Sequence, residues 1–336
     1  MRGVSVIICC YNSAKKLPQT LKHLADQQVD SNVEWELIIV NNNSKDQTVA
    51  VVQEEWAKYT SSVTCTIVNE SKPGLSFARE AGVNKARYDI LIFCDDDNWL
   101  NSNYVQTAYG IMQDNSYFGI VGGNNTAVAE SDFPSWFEEL KSEYACGTQG
   151  DKDGVTKRFY IWGAGMVIRK KIFEELKEKQ FTSQLSDRKG VELSSGGDSE
   201  ICFGAILLGY ELAYSSKLQL KHFMSSDRLQ WSYVVRLMLG HAKASYKLAY
   251  YWDLLDNRNY DKKWSTSLFK RSKMFLEKEG VYSIYHYLKS HKKVTDKFSL
   301  SYMVRLQSWV EHMEMYDKYD DFINYLENLK KIRVKK

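Results

Sequence analysis

The sequence predicts an α/β fold: a mostly parallel sheet with helices on both faces, followed by a helical appendage. Three observations carry this. Short apolar runs alternate with helical patterns through the first hundred residues, the signature of successive βα units. The run Ile90–Cys94 is unbroken by polar residues, as a strand buried on both faces must be. Beyond about residue 225 strand signals stop, and Tyr, Trp, Lys and Leu recur at helical spacing.

Val4–Cys10 reads as the first strand. Asn12 or Ser13 can cap the following helix, with Pro18 in its early turns and Leu17, Leu21 and Leu24 on one face. Residues 35–40 form a second strand, and Asn41-Asn42-Asn43-Ser44 turns into a helix through Asp46 and Thr48. Residues 63–68 are a third strand, followed by Lys72-Pro73-Gly74 and a helix over 75–86. Ile90–Cys94 is the fourth. Residues 119–123, 159–168 and 212–220 read as further strands, and 147–153 and 183–197 as surface loops. In the tail, Arg236, Leu237, Gly240, His241 and Ala244 keep helical spacing, as do Tyr302, Leu306 and Val310. This divides the chain into a domain over 1–225 and a helical, basic and aromatic region over 226–336, without internal repeats.

The 336 residues, 44% apolar and 26% charged, suit a soluble globular protein. The net charge of +3 hides an asymmetry. Residues 1–220 carry 22 Lys and Arg against 29 Asp and Glu, while residues 221–336 carry 23 against 13, so the two parts are expected to meet different partners. The six cysteines show neither CxxC spacing nor a zinc pattern, and four of them lie in or beside apolar runs, which implies a reducing compartment. The N-terminus enters a strand at once, leaving no room for a signal peptide, and no apolar stretch reaches the roughly eighteen residues of a membrane span. A cytoplasmic location is expected.

The first chemical signal is Asp95-Asp96-Asp97, directly behind the buried strand. Ligands of open α/β sheets bind beyond the carboxyl ends of the strands. Three adjacent acids repel one another unless a cation or hydrogen-bond donors compensate. A hard divalent ion carrying a diphosphate does so, because such sites use one or two carboxylates and leave other positions to phosphate and water. A solvated acidic turn is the alternative for an isolated triplet; a buried strand ahead of it favours the site.

Six patches in consistent order over roughly residues 3–225 resemble the inverting glycosyltransferase family 2, of GT-A fold and of the kind that makes bacterial polysaccharides. Val4 to Asn12 resembles that family's first strand and Tyr-Asn turn, and Glu36 to Asp46 its second strand and nucleotide-binding loop. Gly74 to Gly82 resembles the segment near the donor diphosphate, and Asp95-Asp96-Asp97 the Asp-x-Asp metal motif. Trp162-Gly163-Ala164-Gly165-Met166 resembles the loop under the transferred sugar, and Gly196-Gly197-Asp198-Ser199-Glu200 the acidic motif before the acceptor-side helix.

The resemblance implies roles residue by residue. Asp97 and His222 would hold Mn²⁺ or Mg²⁺, with Asp95 sharing the metal through water or contacting the ribose; a structural role is the alternative for His222. Cys10, Tyr11, Asn12, Asn41, Asp96 and Gly165 would line the donor site, and Lys72 and Arg79 would contact its diphosphate. The alternative for Asp96 is to face solvent or cap the next segment. Family members often place Asp where Asn41 stands, which loosens the case for uracil. Asp198 would be the general base, with an N-cap as its structural alternative. The family motif usually reads Glu-Asp, and Gly197 stands at the Glu.

The expected activity is that of a hexosyltransferase moving a sugar from a nucleotide donor, UDP-linked in the first instance, to a hydroxyl of a saccharide or lipid-linked saccharide. A nucleotidyltransferase would need a glycine-rich basic loop after the first strand, which Cys10-Tyr11-Asn12-Ser13-Ala14 lacks. A non-catalytic sugar-nucleotide or glycan-binding module is the rival from another class; Asp95, Asp97, Asp198 and His222 weigh against it. The tail mixes its basic residues with acids and carries no nucleic-acid reading motif. Its lysines and aromatics, as in Tyr246 to Trp252 and Lys262-Lys263-Trp264, fit a peripheral contact at the inner face of the cell membrane or, equally, packing against the catalytic domain.

Overall fold

The computed structural model describes residues 1–59, 62–185, 187–188, 193–259, 262–275, 285, 288–289 and 294–332. Among these, one sheet of nine strands organises the chain: β1 (Val4–Cys10), β2 (Trp35–Asn41), β3 (Thr64–Asn69), β4 (Ile90–Cys94), β5 (Asn98–Leu100), β6 (Phe118–Ala129), β7 (Gly154–Val155), β8 (Met166–Arg169) and β9 (Glu211–Met224). The order is β3-β2-β1-β4-β8-β6-β9-β5, with β7 on β9. The four strands from β3 to β4 are parallel because helical crossovers return the chain to the same end each time. Beyond β4 the sheet is mixed: β8 is antiparallel to β4 and β6, whereas β9 runs parallel to β6.

Helices α1 (Leu17–Ala25), α2 (Thr48–Trp56) and α4 (Tyr104–Asp114) cover one face, where Leu17, Leu21, Leu24, Val52 and Tyr104 pack against Val4, Val6 and Ile8. Helices α3 (Leu75–Lys85), α6 (Lys170–Glu178) and α7 (Gly197–Leu207) cover the other, where Ala78, Val83, Ile172 and Cys202 pack against Ile7, Ile38 and Leu91. The period-two alternation along β1 is what feeds the two layers. A four-residue helix, α5 (Phe137–Leu140), lies between β6 and β7. The tail follows as α8 (Trp231–Leu255), α9 (Trp264–Phe275), α10 (Lys297–Met313) and α11 (Tyr319–Ile332). Its aromatics are core: Tyr246, Tyr250 and Tyr251 are buried with Phe203 and Leu207 of α7 and Phe322 of α11. These three tyrosines serve packing, and Lys247 beside them donates to the Gln184 carbonyl at 2.7 Å. No described helix is long and apolar enough to cross a membrane.

Several sequence expectations need correction. Residues 159–165 are not a strand, because their backbone donors go to side chains from elsewhere: Ile161 to Cys202 Sγ, Trp162 to Gln149 Oε1 and Gly163 to Asp198 Oδ2. Strand β9 runs on to Met224, so His222 lies within it, opposite Asn98 of β5, a strand the sequence did not announce. Neither Asn12 nor Ser13 caps α1; the Ser13 backbone carbonyl instead accepts from Lys16 and Leu17 before the helix starts. Asp198 is not an N-cap either, since α7 begins at Gly197 with Gly196 ahead of it. The loop 183–197 is not merely superficial: Leu185, Asp187 and Ser194 are buried.

Candidate active site

A cleft of about 1520 Å³ opens beyond the carboxyl ends of β1 and β4. One wall carries the acids. The turn after β4 is tied by Asn98, whose side chain accepts from the Asp95 N–H and whose own N–H donates to the Asp95 carbonyl. That turn brings Asp95 and Asp97 against His222, with one possible ligand atom from each residue lying within 4.8 Å of the others. His222 Nε2 is 3.2 Å from Asp97 Oδ1, and Nδ1 faces Cys146 Sγ at 3.9 Å.

Asp97 is also met by Arg228 Nη1 at 2.7 Å and Lys16 Nζ at 3.5 Å, both on Oδ2. Burial works against its charge, but Arg228, His222 and Lys16 overcome it and hold the carboxyl well below its usual range. Burial likewise works against His222, yet Asp97 raises it to about 9. Asp95 moves the other way, raised by burial and then by repulsion from Asp97. Two carboxylates and an imidazole this close supply the hard and borderline donors that Mn²⁺ or Mg²⁺ takes. The residues therefore fit a divalent ion. Burial pushes the Cys9 thiol up to about 12 and the Cys10 thiol well above its ordinary value.

The same cleft is lined by Asp198, at the first turn of α7. Its Oδ2 accepts from the Gly163 N–H at 2.8 Å, and its Oδ1 lies 2.5 Å from Arg79 Nη2. The Asp198 side chain is 33% exposed, although its Oδ1 is itself buried. Trp162, next to Gly163, lines the cleft with Tyr160, and Arg158 stacks on both rings at 4.6 Å.

Other expected donor residues divide into two groups. Cys10, Tyr11, Asn12, Asp95, Asp96 and Arg79 all line the cleft. Tyr11 is 45% exposed, and Asn12 adopts a left-handed φ of 53° that its short amide tolerates while accepting from the Lys45 N–H. Asp96 neither faces solvent nor caps a helix; its carboxylate, 14% exposed, pairs with Lys16 at 3.2 Å. Arg79 is buried and pairs with both Asp187 and Asp198.

Asn41, Lys72 and Gly165 are not brought into the lining. The Asn41 amide joins the ends of β2 and β3, donating to Asn69 and accepting from Ser44; Asn42, one residue on, reaches the cleft. Lys72 Nζ lies over the Phe77 ring at 5.6 Å. Gly165 turns the chain behind the cleft at φ +76°, where an added Cβ would lie 2.5 Å from Leu220 and 2.7 Å from the Tyr104 hydroxyl. Lys16, Arg228 and Asp187 were not anticipated. None of the three lies in a motif the sequence offers.

The profile of the glycosyl transferase family 2 matches residues 5–177. The cholesterol galactosyltransferase of Borreliella burgdorferi is 29% identical over 106 residues, 32% of this chain and 28% of that protein. The poly(ribitol-phosphate) beta-N-acetylglucosaminyltransferase TarS of Staphylococcus aureus is 28% identical over 114 residues, 34% of this chain and 19% of TarS. The matched stretches thus span less than a third of either relative. In three dimensions, TarS 1–349 in complex with UDP-GlcNAc superposes with a TM-score of 0.52 at 15% identity, covering 98% of this chain and 90% of that one. GalNAc-T7 with UDP, GalNAc and Mn²⁺ gives a TM-score of 0.54 at 14% identity, covering 88% and 58%. At such identities the likeness is one of fold.

Proposed function

The chain belongs to the glycosyl transferase family 2, and on that premise we propose that it is a metal-dependent inverting glycosyltransferase acting on a UDP-linked sugar. The observation that carries this reading is that Asp95, Asp97 and His222 line the same cleft as Asp198. The UDP and UDP-GlcNAc bound by TarS, and the UDP and Mn²⁺ bound by GalNAc-T7, support the choice of donor and ion.

Asp95, Asp97 and His222 would hold a divalent ion, which supplies Lewis-acid neutralisation of the leaving diphosphate. Lys16 and Arg228 add fixed positive charge on the same wall. Asp198 takes the proton of the acceptor hydroxyl. That oxygen attacks the anomeric carbon from the face opposite the diphosphate, the carbon–oxygen bond to phosphate breaks, and its electron pair leaves with UDP. Inversion follows from a single displacement. A saccharide acceptor suits the aromatic rings of Tyr160, Trp162 and Trp252 that share the cleft with Asp198.

Purified protein with Mn²⁺, a panel of nucleotide sugars and saccharide acceptors is expected to release UDP from one donor class. Asp198→Asn should keep donor affinity and lose roughly a hundred- to ten-thousandfold in transfer. Near-normal turnover in that variant would refute the base assignment.

A further inference from the structure

Gly197 opens α7, and its φ is not in the left-handed region, so backbone conformation does not call for glycine there. Space does. A Cβ at 197 would sit 2.4 Å from Asp187 Oδ2 and 3.4 Å from Arg79 Nη1. The position is occupied in space by a carboxylate that arrives from another part of the chain.

That carboxylate is well held. Asp187 is 9% exposed, its Oδ2 accepts from Arg79 Nη1 at 2.9 Å, and its Oδ1 accepts from the Arg188 N–H at 3.0 Å. Its backbone carbonyl accepts from the Ser194 hydroxyl at 3.0 Å. The other amino nitrogen of Arg79, Nη2, meets Asp198. A guanidinium is a planar, rigid fork, so fixing one prong fixes the other. Arg79 is itself buried, 5.4 Å from the Phe93 ring centre, and has no room to follow a single acid. Burial raises the Asp187 carboxyl, and Arg79, then the Arg188 N–H and charge, pull against it.

We propose that Asp187 is the positioning acid of the reaction: through Arg79 it sets the direction of Asp198, and it does so from the space that Gly197 leaves open. A carboxylate thus stands beside position 197, where the motif usually has glutamate, but it comes from an aspartate ten residues earlier in sequence. This rests on Asp198 being the base. With one prong held by Asp187, the guanidinium offers Asp198 a single N–H edge, and the Gly163 N–H fixes the second oxygen.

The test is a swap in the full-length protein, read by steady-state transfer kinetics, UDP affinity and melting temperature, with Asp198→Asn as reference. Asp187→Asn should lower kcat by roughly ten- to a hundredfold, as misorientation of a reacting group does, while leaving UDP affinity unchanged. Gly197→Glu alone should lower both kcat and melting temperature, because two carboxylates compete for one space. The double variant Asp187→Gly/Gly197→Glu should recover most of the lost kcat, which a merely structural role for Asp187 would not produce. A wild-type kcat for Asp187→Asn beside an inactive Asp198→Asn would overturn the inference and leave the base in place. A folded double variant no faster than the slower single would overturn it as well. Near-normal turnover of Asp198→Asn would remove the base reading and this inference together.

Discussion

Asp97 and Arg228 illustrate what a buried charge needs. Both are under a tenth exposed, and each is the other's shortest ionic contact, at 2.7 Å. Arg228 also lies near the rings of Tyr144 and Tyr233, and its Nε has no partner among the described residues. Removing one member of a buried pair strands the other, which costs about 3–5 kcal/mol. Arg228→Ala is therefore expected to shift the urea midpoint strongly, somewhat moderated by Lys16 and His222, which remain on Asp97. A midpoint equal to that of wild type would mean that the pair is solvated. The acids of this site were legible in sequence because they end an apolar strand and because an ordered set of patches resembles one family. Arg228, Lys16 and Asp187 were not, since each acts across 100 or more residues of chain or, for Lys16, across 81 to Asp97, and nothing local marks a cation that reaches so far.

At the scale of elements, α7 and α8 are joined by an aromatic and a hydrogen bond. Tyr251 stacks on Phe203 with ring centres 4.2 Å apart, and its hydroxyl donates to Glu200 Oε1 at 2.6 Å. Glu200 also receives the N–H groups of Gln184 and Leu185, so one carboxylate ties α7 to α8 and to the loop that carries Asp187. Tyr251→Phe keeps the stack and loses the hydroxyl, and is expected to cost about 1–3 kcal/mol; Tyr251→Ala also opens a cavity, for about 3–5 kcal/mol. Denaturation of the two variants should rank them in that order, and equal stabilities would contradict the stacking argument. The helical nature of this stretch was readable from its periodicity. That its aromatics face α7 rather than the outside was not, because spacing defines a stripe without naming what covers it. Residues 159–165 failed in the opposite way: Phe, Tyr, Ile and Trp look like a strand, but Gln149 and two side chains of α7 take the backbone donors a ladder would need.

For the whole molecule, the parallel strands β1 and β4 place the acids at one end of the sheet, and the mixed half returns His222 on β9 to meet them. The expected boundary at 225 does not separate site from appendage. Arg228, Tyr233, Leu237, His241, Leu248 and Trp252 all line the cleft, so the helical tail supplies a wall of it. The basic tail and the acidic first part meet there, in the contact of Arg228 with Asp97. The central claim is that the Asp95–Asp97–His222 wall binds the donor diphosphate through a divalent ion. Calorimetric titration of UDP, with and without Mn²⁺, into the wild-type protein and Asp97→Ala tests it most directly. UDP is expected to bind at least about tenfold tighter with metal in the wild type, or some 1.4 kcal/mol, and Asp97→Ala to lose most of that gain. Equal UDP affinity with and without Mn²⁺ in the wild-type protein would contradict it.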